Sequence, residues 1–141
     1  MKILRAEHLG MCFGVRDAIE LALDQATRQP LTILGDLVHN QTVVTDLQQR
    51  GIRIAQQPAE ATTPTVMITA HGASEKAKAE ASGLGHRVLE ATCPLVHLAH
   101  QALAKLVAEG FHPGVIGKRG HVEVRGLTED YPEFDIVLCE E

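Results

Sequence analysis

The sequence predicts an α/β protein with parallel sheets flanked by helices: one complete Rossmann-like unit followed by part of a second. Three observations predict it. Short β-like apolar runs alternate with helix-period segments, the pattern of βαβ units. The longer segments carry apolar residues at i, i+3, i+4 and i+7. Reactive side chains (Cys12, His39, His71, Cys93, His121) recur where a strand run passes into a helix run. The 141 residues suffice for one ordinary domain or two small joined ones. Aromatics are only 3% against 45% hydrophobic, so the core must be Val, Leu, Ile and Ala.

Residues 2–6 read as a first strand. Over residues 15–28, Val15, Ala18, Ile19, Ala22, Leu23 and Ala26 form the apolar stripe of a helix that Gln29-Pro30 stops. Asp17, Glu20, Asp24 and Arg28 form its solvent side. Leu31-Thr32-Ile33-Leu34 is a short buried strand ended by Gly35. Residues 40–50 are helical, with Asn40 as N-cap, Val43, Val44 and Leu47 inward, and Gly51 past the end. A strand over 52–55 precedes a polar loop over 56–64. Residues 66–69 form a strand running into Ala70-His71-Gly72. Ser74 caps a helix over 75–82, which Gly83 and Gly85 end. A strand over 87–91, an amphipathic helix over 95–109, a strand over 113–116 and a last strand over 134–138 complete the pattern. Both halves share the order strand, Cys, helix. Residues 1–93 are therefore expected to form the first unit and residues 94–141 an incomplete second.

A net charge of −5 argues against a nucleic-acid partner, which calls for a basic stripe. No run of about 18 apolar residues suggests a membrane span, and the early charges Lys2, Arg5 and Glu7 do not suit a signal peptide. A cytoplasmic location is expected. Three cysteines there read as thiols or metal ligands rather than a disulfide framework.

In open α/β sheets ligands bind beyond the carboxyl ends of the strands. Cys12, His39, His71, Cys93 and His121 all fall on that edge. Helix N-termini there add N–H groups that favour phosphate. Glycines flank Cys12 in Gly10-Met11-Cys12-Phe13-Gly14-Val15 and allow close backbone approach to a bulky group. In Ala91-Thr92-Cys93-Pro94-Leu95 the proline starts a helix, which puts Cys93 where thiolate is favoured. Thiolates suit iron–sulfur clusters or zinc. One rim can thus hold a soft metal centre and a diphosphate.

Five ordered motifs carry a specific resemblance: Gly10-Met11-Cys12-Phe13-Gly14-Val15, His39-Asn40, Thr69-Ala70-His71-Gly72-Ala73-Ser74, Ala91-Thr92-Cys93-Pro94-Leu95-Val96 and Gly120-His121-Val122-Glu123-Val124-Arg125-Gly126. Over nearly its whole length the chain resembles the N-terminal part of the 4-hydroxy-3-methylbut-2-enyl diphosphate reductases, the LytB-type iron–sulfur reductases of the non-mevalonate isoprenoid pathway. The resemblance implies a 4Fe–4S cluster on three cysteines, of which Cys12 and Cys93 match the first two. It implies that His39, His71 and His121, with Asn40 beside them, bind the substrate diphosphate and that Glu123 delivers a proton. The implied reaction is a two-electron reductive dehydroxylation giving isopentenyl and dimethylallyl diphosphates, with a ferredoxin or flavodoxin as electron donor.

The chain departs from the family's pattern in two ways. No third ligating cysteine follows Cys93, nor do the serine, threonine and asparagine residues of the family's later region; Cys139 does not match that motif. The expectation is a truncated N-terminal portion of a longer reductase. Val122 also stands where the family often has proline.

Other residues read more plainly. Cys139 reads as a buried strand thiol. His8, His86, His97, His100 and His112 read as ordinary histidines; His97 and His100, three apart, resemble a zinc pair but read as a solvated or partly buried face. Gly117-Lys118-Arg119-Gly120 lacks P-loop spacing, and nothing aims Lys118 or Arg119 inward. Three competing readings stand beside the reductase: a non-catalytic diphosphate-binding module without the cluster, a thiol or zinc site of Cys12, Cys93 and a histidine, and a homodimer sharing one cluster.

Overall fold

The structure, a computed structural model, describes residues 1–5, 7, 10–35, 37, 38, 40–118 and 120–133 and the backbone of 136 and 137. His39 and Cys139 lie outside the described residues, as does most of the strand expected over 134–138.

Two sheets form. In the first, β1 (Leu31–Leu34), β2 (Arg53–Ala55), β3 (Thr65–Ile68) and β4 (Arg87–Glu90) lie in the order β2-β1-β3-β4. Every pairing is parallel, with Ile33 beside Ile54 and Met67, and Met67 beside Leu89. The chain runs outward from β1 to β2, then returns across β1 to start β3. That reversal leaves a crevice beyond the carboxyl ends of β1 and β3. The second sheet pairs β5 (Val115–Ile116) and β6 (Ile136–Val137), also parallel.

The core follows from burial. Central strands of a parallel sheet are covered on both faces and so read as continuous apolar runs. Val66, Met67 and Ile33 are fully buried accordingly, with Leu31, Ile68, Leu37 and Leu47 around them. Complete burial of such a side chain contributes about 1.5–3 kcal/mol. Helix α1 (Phe13–Arg28) packs on the sheet through Ala18 and Ala22, while Asp17, Glu20, Asp24 and Arg28 face solvent. Helix α2 (Gln41–Gln49) inserts Leu47 and is capped by Asn40, whose side chain accepts from the backbone N–H of Thr42 and Val43. Helix α3 (Glu75–Gly83) starts at Ser74, which accepts from Ala77 N–H. Helix α4 (Pro94–Ala108) turns Val96, His100, Leu103 and Val107 inward, an i, i+4, i+7, i+11 stripe.

Three expectations need correction. Residues 1–5 form no strand; Ile3 and Leu4 are exposed at 78% and 82%, and among the described residues no strand pairs with them. The loop over 56–64 contains a 3₁₀ turn at Pro58–Glu60, pinned by Glu60 Oε2 accepting from the N–H groups of Gln56 and Gln57 at 2.9 and 3.3 Å. A helix absent from the sequence reading, α5 (Val122–Thr128), follows His121. It is short and carries a mid-helix glycine, so propensity alone does not announce it.

Candidate functional site at the carboxyl rim

The rim is built by extending the sheet past its strands. Ala91 N–H bonds Ile68 C=O at 3.1 Å and Cys93 N–H bonds Ala70 C=O at 2.9 Å, so the β3–β4 ladder continues to the residue before His71. Cys93 is then the N-cap of α4, with Pro94 at the first helical position. Cys12 is the N-cap of α1. Each thiol therefore stands at the positive end of a helix macrodipole. The two helix ends meet: a Cβ placed on Gly14 would lie 2.8 Å from Cys93 Sγ, so only glycine lets α1 approach this closely. Cys12 is exposed and Cys93 half-buried, and both are free thiols.

Beyond β3 the chain turns at His71-Gly72, where Gly72 takes φ +74° and its N–H bonds Thr69 C=O at 3.1 Å. This turn presents His71, whose Nδ1 lies 2.9 Å from Glu123 Oε1. The contact holds a proton in either of two ways: an ionised carboxylate accepts from Nδ1–H, and a protonated carboxyl donates to Nδ1. His71 is 14% exposed and Glu123 42%, so the pair opens outward on the carboxylate side. His121 is the N-cap of α5. Its Nδ1 accepts from Glu123 N–H at 3.3 Å, which places the neutral ring's proton on Nε2. The His71 and His121 rings meet edge to face at 6.5 Å between centroids.

Long-range bonds hold α5 under the turn. Ser74 Oγ donates to Glu129 Oε2 at 2.7 Å, and Asp130 accepts from the N–H groups of Glu75 and Lys76 at 2.8 and 2.9 Å. Gly126 packs against Ala73, whose Cα would stand in ordinary contact, 3.6 Å, from a Cβ placed there.

The structure thus brings Cys93, the first turn of α1, His71, His121 and Glu123 to one rim. Asn40 lies on the same carboxyl side after β1, with its side chain engaged in capping α2. Among the described residues, no group of three or more His, Cys, Asp or Glu has metal-holding geometry. The soft donors available there are the two thiols.

A cleft of about 160 Å³ adjoins the rim between α3, β4 and α4; Gly72, Glu75 and Asp130 line it, whereas Cys12, Cys93, His71, His121 and Glu123 do not. Lys78 bridges Glu75 and Glu90 at its edge. Burial alone would lower the lysine pKa, but the bonds and charges of the two carboxylates outweigh it and hold it above the ordinary value. His100 lines the same cleft. Burial, then the Lys78 charge, pushes its pKa below the ordinary histidine value, against the opposing pull of Asp130 and Glu75. The sequence reading took His100 for an ordinary histidine. Its place on the inward stripe with Val96, Leu103 and Val107 was the available signal.

Fold and rim define a doubly wound α/β protein with thiol, imidazole and carboxylate groups gathered beyond its strand ends. The chain belongs to the LytB protein family, whose sequence profile matches residues 3–141. It is 34% identical over 142 residues to the 4-hydroxy-3-methylbut-2-enyl diphosphate reductase of Pseudothermotoga lettingae, covering 98% of this chain and 51% of that protein. To the reductase of the same name from Brevibacillus brevis it is 37% identical over 146 residues, covering 94% and 46%. Among solved structures, the E-1-hydroxy-2-methyl-but-2-enyl-4-diphosphate reductase of Plasmodium falciparum superposes with a TM-score of 0.84 at 27% identity, over 94% of this chain and 42% of that one. A second, an (E)-4-hydroxy-3-methyl-but-2-enyl diphosphate reductase described as the terminal enzyme of the non-mevalonate pathway, gives 0.79 at 30% identity, over 99% and 51%. The chain spans about half the length of the curated relatives it matches. No helix among the described residues is long and apolar enough to cross a membrane.

Proposed function

We propose that this chain is the N-terminal portion of an iron–sulfur reductase that converts 4-hydroxy-3-methylbut-2-enyl diphosphate to isopentenyl and dimethylallyl diphosphates. The reaction takes two electrons and two protons and releases water. The observation that carries the reading is the Cys93 N–H to Ala70 C=O bond, which sets a thiol at a helix N-terminus beside the turn that presents His71 to Glu123. In this reading residues 1–93 form the first unit and residues 94–141 part of a second, and the start of α4 at Pro94 supports that division.

In this reading Cys12 and Cys93 hold a 4Fe–4S cluster, with further ligands supplied from outside the described residues. The donor chemistry fits: two free thiols stand on the N-cap residues of adjoining helices without a capping bond of their own, and Gly14 keeps the space beside Cys93 clear. When bound, the cluster supplies the electrons. The chain's own residues do the remaining work. His71, His121, His39 and Asn40 bind the diphosphate, imidazolium to phosphate oxygen through charge-assisted bonds. Glu123 holds the proton delivered to the leaving hydroxyl, with His71 Nδ1 orienting its carboxyl at 2.9 Å. A small electron-transfer protein such as a ferredoxin or flavodoxin is the redox partner, and the enzyme works in the cytoplasm.

Anaerobic reconstitution with ferrous iron and sulfide tests the metal assignment. The longer reductase that contains this chain should take up iron and sulfide with visible charge-transfer absorption, the 141-residue chain alone should take up little, and Cys12→Ser or Cys93→Ser in the longer protein should each remove most of it. Equal uptake by the wild type and the double variant would sink the assignment. Calorimetric titration with the allylic diphosphate tests the anion site. His71→Ala and His121→Ala should each weaken binding about tenfold or more, the worth of one charge-assisted bond.

A further inference from the structure

The inference concerns His100, which none of the roles above uses. It sits on α4, two turns beyond Cys93, on the helix's inward stripe. Its Nε2 is buried and has no hydrogen-bond partner among the described residues. Leaving a buried polar atom unpaired is costly, a cost that leucine or phenylalanine on the same stripe would not carry.

The ring's neighbours say what holds it there. A Cβ on Gly72 would stand 3.1 Å from His100 Nε2, and one on Gly126 would stand 3.7 Å from His100 Cε1. Gly72 directly follows His71. Gly126 lies one helical turn after Glu123. The imidazole is therefore wedged between the two backbone segments that carry the two partners of the 2.9 Å contact. The rest of α4's start closes on the same glycine: Val96 Cγ1 and Thr92 Cγ2 would lie 3.2 and 3.3 Å from the Gly72 Cβ. Both glycines are buried, so neither segment has a side chain of its own to set the gap.

We propose that His100 is a positioning residue whose flat ring, inserted from α4, sets the spacing between the His71 turn and α5, and so holds the His71–Glu123 pair in register with Cys93 at the start of the same helix. The consequence for proton delivery rests on the function proposed above; the geometric claim does not. The lowered pKa fits a ring that stays neutral in its wedge near pH 7. Because Nε2 has no partner, the ring's shape matters and its hydrogen bonding does not.

Long-range proton–nitrogen spectra of the histidine side chains test this. Contact with Glu123 ties the His71 tautomer to the carboxyl: Nδ1 carries the proton when the carboxylate is ionised and accepts when the carboxyl is protonated. His100→Ala should release that constraint, shifting the His71 nitrogen signals toward the tautomer average, and should weaken inorganic pyrophosphate binding at least tenfold. His100→Phe keeps a flat ring and should preserve the His71 signals, with pyrophosphate affinity within threefold of the wild type. Wild-type His71 signals in folded His100→Ala would overturn the proposal. If His100→Ala does not fold, His100→Phe decides: preserved His71 signals support the wedge, and displaced ones in a folded protein overturn it. A wild-type chain that does not bind pyrophosphate would count against the proposed function instead, while the nitrogen spectra still judge the wedge.

Discussion

Gly14 has no room for a side chain, because Cys93 Sγ occupies the space a Cβ would need. Gly14→Ala must push α1 away from α4 or turn the Cys93 thiol aside. Overpacking of this kind costs about 1–3 kcal/mol, and urea unfolding should read that loss together with reduced iron uptake on reconstitution of the longer protein. Thr65 behaves oppositely. Its Oγ1 is buried without a hydrogen-bond partner among the described residues, although Thr32 and Thr63 nearby share a bond of 2.7 Å. Thr65→Val keeps the shape and removes the unpaired hydroxyl. It should be neutral or stabilise by up to about 1 kcal/mol, read from the same urea midpoints. At this scale the motifs around Cys12, His71, Cys93 and Glu123 were legible because each combines a reactive group with glycine or proline. The pairing of His71 with Glu123 was not, because 52 residues separate them and only the turn and α5 together bring them close.

Helix α3 and helix α5 are bound at one joint. Ser74 caps α3 through Ala77 N–H and also donates to Glu129 at the end of α5. Ser74→Ala removes both bonds at a buried site and should cost about 1–2 kcal/mol, with amide exchange in α5 accelerated more than in α1. Helix α4 adds a pH dependence. His100 titrates below the ordinary histidine value of 6.5, so the unfolded chain binds its proton first as pH falls. Its contribution is fully present above 6.5 and is lost as pH drops through the lower folded value. The charged groups around it are Lys78, Asp130, Glu75 and His97. Thermal unfolding should therefore fall in midpoint below about pH 6.5, and His100→Phe should flatten that slope. The helices predicted from apolar periodicity match the observed ones closely. Helix α5 and the 3₁₀ turn escaped because their ends are fixed by Asp130, Ser74 and Glu60 through bonds that periodicity does not encode.

The whole molecule is uneven. The four-stranded sheet is buried through its centre, whereas the second sheet has two short strands, and α4 leaves Leu95, Leu98 and Leu106 exposed at 64%, 59% and 40%. Contiguous apolar surface of this kind binds partners or dyes. The 141-residue chain should enhance the fluorescence of a hydrophobic dye and associate at high concentration, and Leu95→Glu with Leu98→Glu should reduce both. Unchanged dye binding in that variant would place the sticky surface elsewhere. Hydrogen exchange should be slowest in β1 and β3 and fastest in β5 and β6, since local stability follows buried contact.

Alternation of strand runs with helix-period runs determined the α/β class, the order of most elements and the edge on which His71 and Cys93 lie, because those features depend on local side-chain pattern. The tertiary structure alone decided which groups meet. Parallel ladders and helix packing bring together residues far apart in sequence, and their contacts rest on distances that no local pattern specifies: Gly14 against Cys93, His71 against Glu123, and His100 between two glycines.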